Sequence, residues 1–172
     1  IARQEAQAKA EAYEQVFTDA AAFEEIEMDD TLIQTIRDQL DQEGYKAQSI
    51  EEVMRAEDQS GETLGYAFTV VTSEGYGGDI QFSMGVQNDG TLNGISILSI
   101  GETAGLGMNA DTPAFKDQFV GKQVEKLQYT KNGATQDDEI NAISGATVTT
   151  NAMTNGVNAG LCAFRVMEGG DQ

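Results

Sequence analysis

The 172-residue sequence contains no histidine and only one cysteine, Cys162. Without histidine, the chain lacks His-based general acid–base catalysis, Ser-His and Cys-His nucleophile pairs, and His-ligated metal sites. One cysteine forms neither an internal disulfide nor a thiolate cluster, and its place in an apolar helical stretch predicts a buried structural thiol. Any redox chemistry must therefore come from an organic cofactor.

Basic residues are also scarce, since 10 Lys and Arg stand against 29 Asp and Glu and give a net charge of −19. This charge argues against nucleic acid as a partner, because phosphates are repelled, and against a polybasic mode of membrane-surface binding. A solubilising acidic surface without any target is the plain alternative. The sequence contains neither a signal peptide nor a run of 18 apolar residues.

Hydrophobic periodicity predicts one domain of the α+β class, with a twisted antiparallel sheet, N-terminal helices and a C-terminal helix packed against it. The first 24 residues are predicted to be a helical extension, solvated over its first dozen residues, and residues 25–172 the folded domain. In residues 80–86, large apolar side chains alternate strictly with polar or small ones, which is typical of a half-buried strand. The predicted helices are 1–24, 30–40 ending at Gly44, a short one at 113–119 and 146–167; the predicted strands are 53–57, 64–71, 80–86, 92–100 and 127–130.

Hydroxyl and small residues crowd into Ser144–Thr150, between a predicted strand and the last helix. A helix starting at Ser144 would direct free N–H groups and the positive end of its dipole at an anion, for which a phosphate on Thr147 is the natural candidate. The alternative is that Ser144 is an ordinary N-cap and the following residues are helix filler. Val148 is predicted to point inward with the apolar face of this helix.

Two glycine-rich segments precede this motif. Gly75-Tyr76-Gly77-Gly78 predicts either a plain turn or a close approach of another backbone or ligand. Gly101–Gly107 lacks the spacing of a phosphate-binding loop. Its one large apolar residue, Leu106, suits packing against a flat ring, and a strand-to-helix connection is the alternative. The acidic Asp137–Glu139 segment is predicted to be a solvated loop.

Together, Gly75–Gly78, Gly101–Gly107, Phe115–Lys122 and Asn141–Thr150 resemble the FMN-binding domain shared by the G subunit of the Rnf electron-transport complex and the C subunit of the sodium-pumping NADH:quinone reductase. The resemblance extends to the Ala-rich opening with Val16–Ala20 and covers nearly the whole chain. The sequence Ala-Ile-Ser-Gly-Ala-Thr at residues 142–147 and the compact length favour the Rnf-type subunit. The alternative is the C subunit of the quinone reductase or another flavinylated membrane-associated reductase.

The resemblance implies FMN attached through its phosphate to Thr147 by a separate flavin transferase that draws on FAD. It also implies an electron relay among other membrane subunits, with a single-pass anchor in an N-terminal helix missing from this sequence. Residues 1–24 are then membrane-proximal and residues 25–172 are an FMN-binding domain on the outer face of the cell membrane. The cofactor-binding positions that follow are Ser144, Gly145, Ala146, Thr147, Thr149, Thr150, Glu102, Thr103, Gly105, Leu106, Gly107, Tyr76 and Gly77.

Two positions depart from the family pattern. Ala104 stands where the family usually has proline, which would fix φ and stiffen the loop. Asn141 stands where the family usually has an aspartate that belongs to the recognition motif of the transferase. Asn keeps the size and the hydrogen bonding of aspartate but loses its charge, so the efficiency of flavinylation is the property that this change affects.

Two other classes of function compete with the electron relay. In a non-catalytic binding or assembly module, Ser144–Thr147 would only be a capped helix start. A free-standing flavin reductase would need a nicotinamide site and a proton donor, and the sequence has neither a dinucleotide fingerprint nor a histidine. For the relay, the charge of −19 predicts a low flavin reduction potential or a protonated semiquinone, and salt would weaken this effect.

Overall fold

The computed structural model describes residues 2–170, and the side chains of residues 6–169. Its helices are α1 Ala2–Val16, α2 Asp30–Glu43, α3 Pro113–Lys116 and α4 Thr147–Gly170, with 3-10 turns at Gly107–Asp111 and Asp117–Phe119. Its strands are β1 Ala22–Glu25, β2 Gln48–Glu57, β3 Thr63–Gly75, β4 Gly78–Gln87, β5 Leu92–Ser99, β6 Gln128–Thr130 and β7 Glu139–Asn141. In the described part of the chain, no helix is both long and apolar enough to cross a membrane.

A five-stranded antiparallel sheet forms the centre, with its strands in chain order from β1 to β5. The β3–β4 hairpin closes where Gly75 pairs with Gly78, so Tyr76 and Gly77 project beyond the end of the sheet. This arrangement confirms the predicted α+β class. Two short strands were not predicted: β1 at the sheet edge, and β7, which pairs in parallel with β6 and replaces the solvated loop expected at Glu139.

Helix α4 packs on one face of the sheet, where the large apolar side chains of β3 and β4 form the main core. A Cβ on Gly156 would lie 2.8 Å from a ring carbon of Phe82, and a Cβ on Gly160 would overlap the sulfur of Met84. These two glycines, four residues apart on one face of the helix, therefore bring it close to the sheet. Beside α4, helix α2 ends as expected at Gly44, whose φ of 91° suits a left-handed C-cap.

Helix α1 covers the opposite face of the sheet, which carries small and hydroxyl-bearing residues. Tyr13 and Phe17 are buried there, and a Cβ on Gly85 would overlap the backbone oxygen of Val16. Ser83, expected on a solvated face, is 0% exposed. The half-buried interpretation of residues 80–86 was therefore wrong, because small residues on this face let a second helix pack closely.

Residues 1–24 are helical only in part. Helix α1 ends at Val16, and Ala22–Glu25 pairs with β2 as an edge strand. In the C-terminal half of α1, Ala12, Tyr13 and Val16 are buried, while the other residues of that half and residues 6–8 are exposed or only partly buried. The division of the chain at residue 24 stays a prediction, but residues 22–24 contribute to the sheet of the larger segment.

Candidate functional site

Three loops that are distant in sequence meet beside the N-terminus of α4 and enclose a cavity of about 450 Å³. They are the β3–β4 hairpin, the segment that follows β5, and the turn that precedes α4. This cavity is called the α4 cavity. It is lined by Tyr76, Thr103, Leu106, Gly107, Gly145, Ala146, Thr147, Val148 and Thr149. The structure thus brings all three predicted segments to one place.

Glu102 connects these three loops. Its side chain lies behind the cavity wall, and the residue is only 8% exposed. One carboxylate oxygen, Oε1, accepts from the backbone N–H of Tyr76 at 2.8 Å and from the hydroxyl of Thr149 at 2.6 Å, while Oε2 accepts from the N–H of Gly77. A single buried carboxylate therefore fixes the hairpin and the first turn of α4 relative to the loop after β5.

Glycines permit this close assembly. A Cβ on Gly77 would overlap the backbone oxygen of Gly101, and a Cβ on Gly107 would lie 2.6 Å from Thr149 Oγ1 and 2.7 Å from Glu102 Cβ. Gly77 therefore allows another backbone to approach closely, as one of the two sequence interpretations proposed, and the hairpin is more than a plain turn.

Helix α4 begins at Thr147, one residue later than the predicted span 146–167 and three residues later than a start at Ser144. Ser144 is therefore not its N-cap. The chain turns through Ser144 and Gly145, which has a φ of 73°, and the N–H of Ala146 bonds to the carbonyl of Ile143 at 3.1 Å. This later start places Thr147 itself at the helix end, where the first backbone N–H groups have no intrahelical acceptor.

Several predicted site residues support the cavity without lining it. Thr150 is buried, and its hydroxyl is hydrogen-bonded within the turn that precedes α4. Its Oγ1 accepts from the N–H of Ile143 at 3.0 Å and donates to the carbonyl of Ala146 at 2.9 Å. Gly77 and Glu102 form the layer behind the wall. Gly105, with a φ of 78°, shapes the loop after β5.

Exposed apolar side chains surround the cavity mouth. Tyr76 is 77% exposed, Val148 51% and Leu106 44%. Val148 was expected to face inward and was missed as a site residue. It lies in the first turn of α4, and its position directly after Thr147 in the motif was the signal that could have identified it.

Cys162 and the acidic side chains are not among the residues that line the α4 cavity. Cys162 is buried as predicted, and burial, together with the hydrogen bond to Glu43, raises the pKa of its thiol to about 12, which leaves it unreactive. Among the described residues, no group of three or more Cys, Asp or Glu side chains is arranged to hold a metal ion.

The α4 cavity combines an apolar mouth, hydroxyl groups and a helix N-terminus, and its volume falls in the usual range for cofactor pockets. Apolar side chains suit a flat ring system, while the helix end suits a phosphate. The residues present therefore fit FMN. A family model described as "FMN-binding domain" matches residues 75–161, which include all three loops.

The chain belongs to the FMN-binding domain family.

Two curated relatives are similar to part of the chain. The chain is 36% identical over 108 residues to the G subunit of the Na⁺-translocating ferredoxin:NAD⁺ oxidoreductase complex of Acetobacterium woodii, a match that covers 62% of this chain and 52% of that protein. It is 38% identical over 98 residues to the G subunit of the proton-translocating ferredoxin:NAD⁺ oxidoreductase complex of Clostridium ljungdahlii, covering 57% and 52%. The chain thus spans about half the length of these curated relatives.

Among solved structures, the C subunit of the Na⁺-translocating NADH-quinone reductase of Parabacteroides distasonis superposes with a TM-score of 0.64. The superposition covers 96% of this chain and 94% of that one, at 18% sequence identity. At this identity the likeness establishes the shared fold, including the helices and the five-stranded sheet.

Proposed function

We propose that the α4 cavity holds FMN joined by a phosphoester to Thr147, and that this domain relays electrons within an ion-translocating, Rnf-type membrane complex. The observation that carries the proposal is the position of Thr147: it begins the helix at the cavity wall, within reach of both glycine-rich loops. The membership of the chain in the FMN-binding domain family supports the identity of the cofactor.

The residues around Thr147 suit the two ends of this cofactor. The helix dipole and the free N–H groups of the first turn favour the negative charge of a phosphodiester. Tyr76, Leu106 and Val148 offer apolar surface to a ring at the cavity mouth and shield it from water. Bound there, the flavin supplies the electron-transfer chemistry for which the chain has no group of its own.

Attachment requires help from outside the chain. The Thr147 hydroxyl attacks the FMN-side phosphorus of FAD, the pyrophosphate P–O bond breaks, AMP leaves, and the hydroxyl proton passes to a base on the transferase. The chain contains no histidine to activate the hydroxyl, which supports dependence on a separate enzyme. A diester also prevents loss of the cofactor from a domain outside the cell, where released FMN is not recaptured.

The proposed partners are the other membrane subunits of the complex, with the flavin transferase acting during maturation. Similarity to the G subunits of two ferredoxin:NAD⁺ oxidoreductase complexes supports membership in an Rnf-type assembly. We place the domain on the outer face of the cell membrane, held by a single-pass anchor that precedes the sequence. The net charge of −19 makes nucleic acid an unfavourable partner.

Co-expression with a flavin transferase tests the proposal directly. The intact mass of the denatured protein should rise by one FMN less one water, and the band should fluoresce in a denaturing gel. Thr147→Val should abolish both signals because it removes only the attachment oxygen. Thr154→Val is the matched control, since Thr154 is a buried threonine of the same helix whose hydroxyl bonds to the carbonyl of Thr150.

Covalent flavin on the Thr147→Val protein would show that the attachment site is elsewhere. Wild-type protein that stays colourless after co-expression would instead favour the non-redox binding module. Steady NADH oxidation by the isolated chain would favour the free-standing reductase. Each outcome is read from the same set of purified proteins.

A further inference from the structure

Glu102 is a buried carboxylate with an unusual set of partners. Its three hydrogen-bond donors are neutral: the N–H groups of Tyr76 and Gly77, and the hydroxyl of Thr149. An ionised carboxylate is a pure acceptor, and all three groups donate to it. Thr149 also belongs to the first turn of α4, where the helix dipole favours a negative charge.

The contacts of Glu102 lie immediately behind the α4 cavity. Tyr76 and Thr149 both line the cavity, and the Cβ of Glu102 would be 2.7 Å from a Cβ placed on Gly107, a third lining residue. The side chain therefore contacts the residues that line the cavity without lining it itself. A charge in this buried position is screened by salt much less than a charge on the surface.

We propose that Glu102 is the positioning residue of the flavin site: it orders the Tyr76–Gly77 turn and the Thr149 side chain around the cavity, and it places a carboxylate charge behind the wall that lowers the reduction potential of the bound flavin. The positioning role concerns the chain alone, whereas the effect on the reduction potential rests on the proposed function. Positioning is read from the backbone amides, and charge is read from the potential.

Two substitutions separate position from charge. Glu102→Gln keeps the size but removes the charge, and its NH₂ group cannot accept, so at least one of the three donors is left facing a donor. Glu102→Asp keeps the charge but is shorter by one methylene group, so it cannot reach all three donors. Asp79→Asn is the matched control, because Asp79 is an exposed carboxylate two residues beyond Gly77.

The first measurement is amide hydrogen exchange at Tyr76 and Gly77 by NMR, in the flavin-free protein. Each Glu102 variant should exchange at one or both of these amides roughly tenfold faster or more than wild type, as loss of a hydrogen bond to a charged group implies. Asp79→Asn should match wild type. If the two amides exchange in Glu102→Gln and Glu102→Asp as they do in wild type, the positioning role is overturned.

The second measurement is the midpoint potential of the flavinylated proteins. Glu102→Gln should shift it upward, Glu102→Asp should leave it close to wild type, and Asp79→Asn should shift it less than Glu102→Gln does. Equal shifts in Asp79→Asn and Glu102→Gln, or no shift in Glu102→Gln, would overturn the electrostatic role. Wild-type protein that takes up no covalent flavin would refute the proposed function instead, and the exchange measurement would still decide the positioning role.

Discussion

Cavities of nearly equal volume lie in three parts of the molecule, one of them, of about 470 Å³, beside Gln118 and Lys122. The α4 cavity measures about 450 Å³, and a second one beside α1 measures about 460 Å³. The lining of this second one, the α1 cavity, consists of Ala6, Lys9, Ala10, Tyr13, Glu14, Phe23, Glu52 and Met54. Volume alone therefore does not identify the site.

The difference lies in what forms the walls. Backbone loops fixed by Glu102 and a helix N-terminus shape the α4 cavity, whereas side chains from one helix and two neighbouring strands shape the α1 cavity. The segment matched by the family model, residues 75–161, contains the whole lining of the first and none of the second. The α4 cavity therefore differs from the α1 cavity in the construction of its walls and not in its volume.

The largest expected effect is on flavin loading when the wall of the α4 cavity is deformed. In Gly107→Ala the new methyl group would lie 2.6 Å from Thr149 Oγ1, so Thr149 or Glu102 must move. We expect covalent flavin per chain to fall severely after transferase co-expression, with a loss of about 1–3 kcal/mol in unfolding free energy, as in other overpacked sites. Flavin absorbance and urea denaturation measure the two effects.

Gly101→Ala is the control for this substitution. No heavy atom lies within 4 Å of a Cβ at Gly101, so the same chemical change in the same loop should be tolerated within about 0.5 kcal/mol. Normal loading in Gly107→Ala would mean that the wall is adaptable, and the contrast between the two cavities would then lose its basis.

A moderate effect, confined to stability, is expected in the α1 cavity. The hydroxyl of Tyr13 donates to Glu52 at 2.5 Å and bonds with the hydroxyl of Thr69 at 2.6 Å. Tyr13→Phe removes both bonds and should lower the unfolding free energy by about 1–3 kcal/mol, because Thr69 is buried. Flavin loading should equal that of wild type, and a large loss of flavin would show that the two cavities are coupled.

The same residue predicts a pH dependence. Burial, and then the hydrogen bond to Glu52, raises the pKa of the Tyr13 phenol above its ordinary value. The folded protein therefore holds this proton more tightly than the unfolded chain, so the contribution is complete below pH about 10 and is lost as the pH rises further. Urea denaturation between pH 9 and 11 should show a shallower decline for Tyr13→Phe than for wild type.

The sequence predicted one side of the sheet better than the other. On the α4 side, large apolar residues alternate and Gly156 and Gly160 are four apart, so both the strands and the packing of the helix could be inferred. On the α1 side the signal was small residues such as Ser83 and Gly85, which have the same pattern in a solvated strand and under a closely packed helix. Only the three-dimensional contact of Phe17 with Gly85 distinguishes the two.

The candidate site shows a similar limit. Motifs located all three loops, because glycines and hydroxyl residues cluster in each of them. The role of Glu102 could not be inferred, since its partners Tyr76 and Thr149 are 26 and 47 residues away. The local sequence was also insufficient to place the start of α4 at Thr147. By residue type, Ser144 is a better N-cap candidate than Ala146, the residue that precedes the helix.

A smaller effect, limited to the rate of maturation, is expected at Asn141. Its Oδ1 accepts from the N–H of Ala134 at 2.6 Å, and an aspartate oxygen can make the same bond. Asn141→Asp should therefore leave the stability within about 0.5 kcal/mol of wild type and, by restoring the charge typical of the family, raise the initial rate of flavin transfer.

Asn132→Asp provides the control for that rate, because Asn132 is an exposed residue of the adjacent loop and the substitution adds the same charge. In vitro transfer from FAD, followed by gel fluorescence over time, measures both variants. Equal acceleration by the two substitutions would indicate a general charge effect and not recognition at Asn141.

The smallest effect tests whether surface charge contributes at all to the α4 cavity. With a net charge of −19, the protein opposes the addition of an electron to bound flavin, which lowers the reduction potential. Salt shortens the screening length from about 30 Å at 0.01 M to about 3 Å at 1 M, so the midpoint potential of the wild type should rise slightly over this range. The upward shift caused by Glu102→Gln should persist at 1 M salt, because a buried charge is screened less. If the wild-type midpoint potential were independent of salt and the Glu102→Gln shift disappeared at 1 M, the surface charge would not contribute. Glu102 would then act as a screened, solvent-exposed charge.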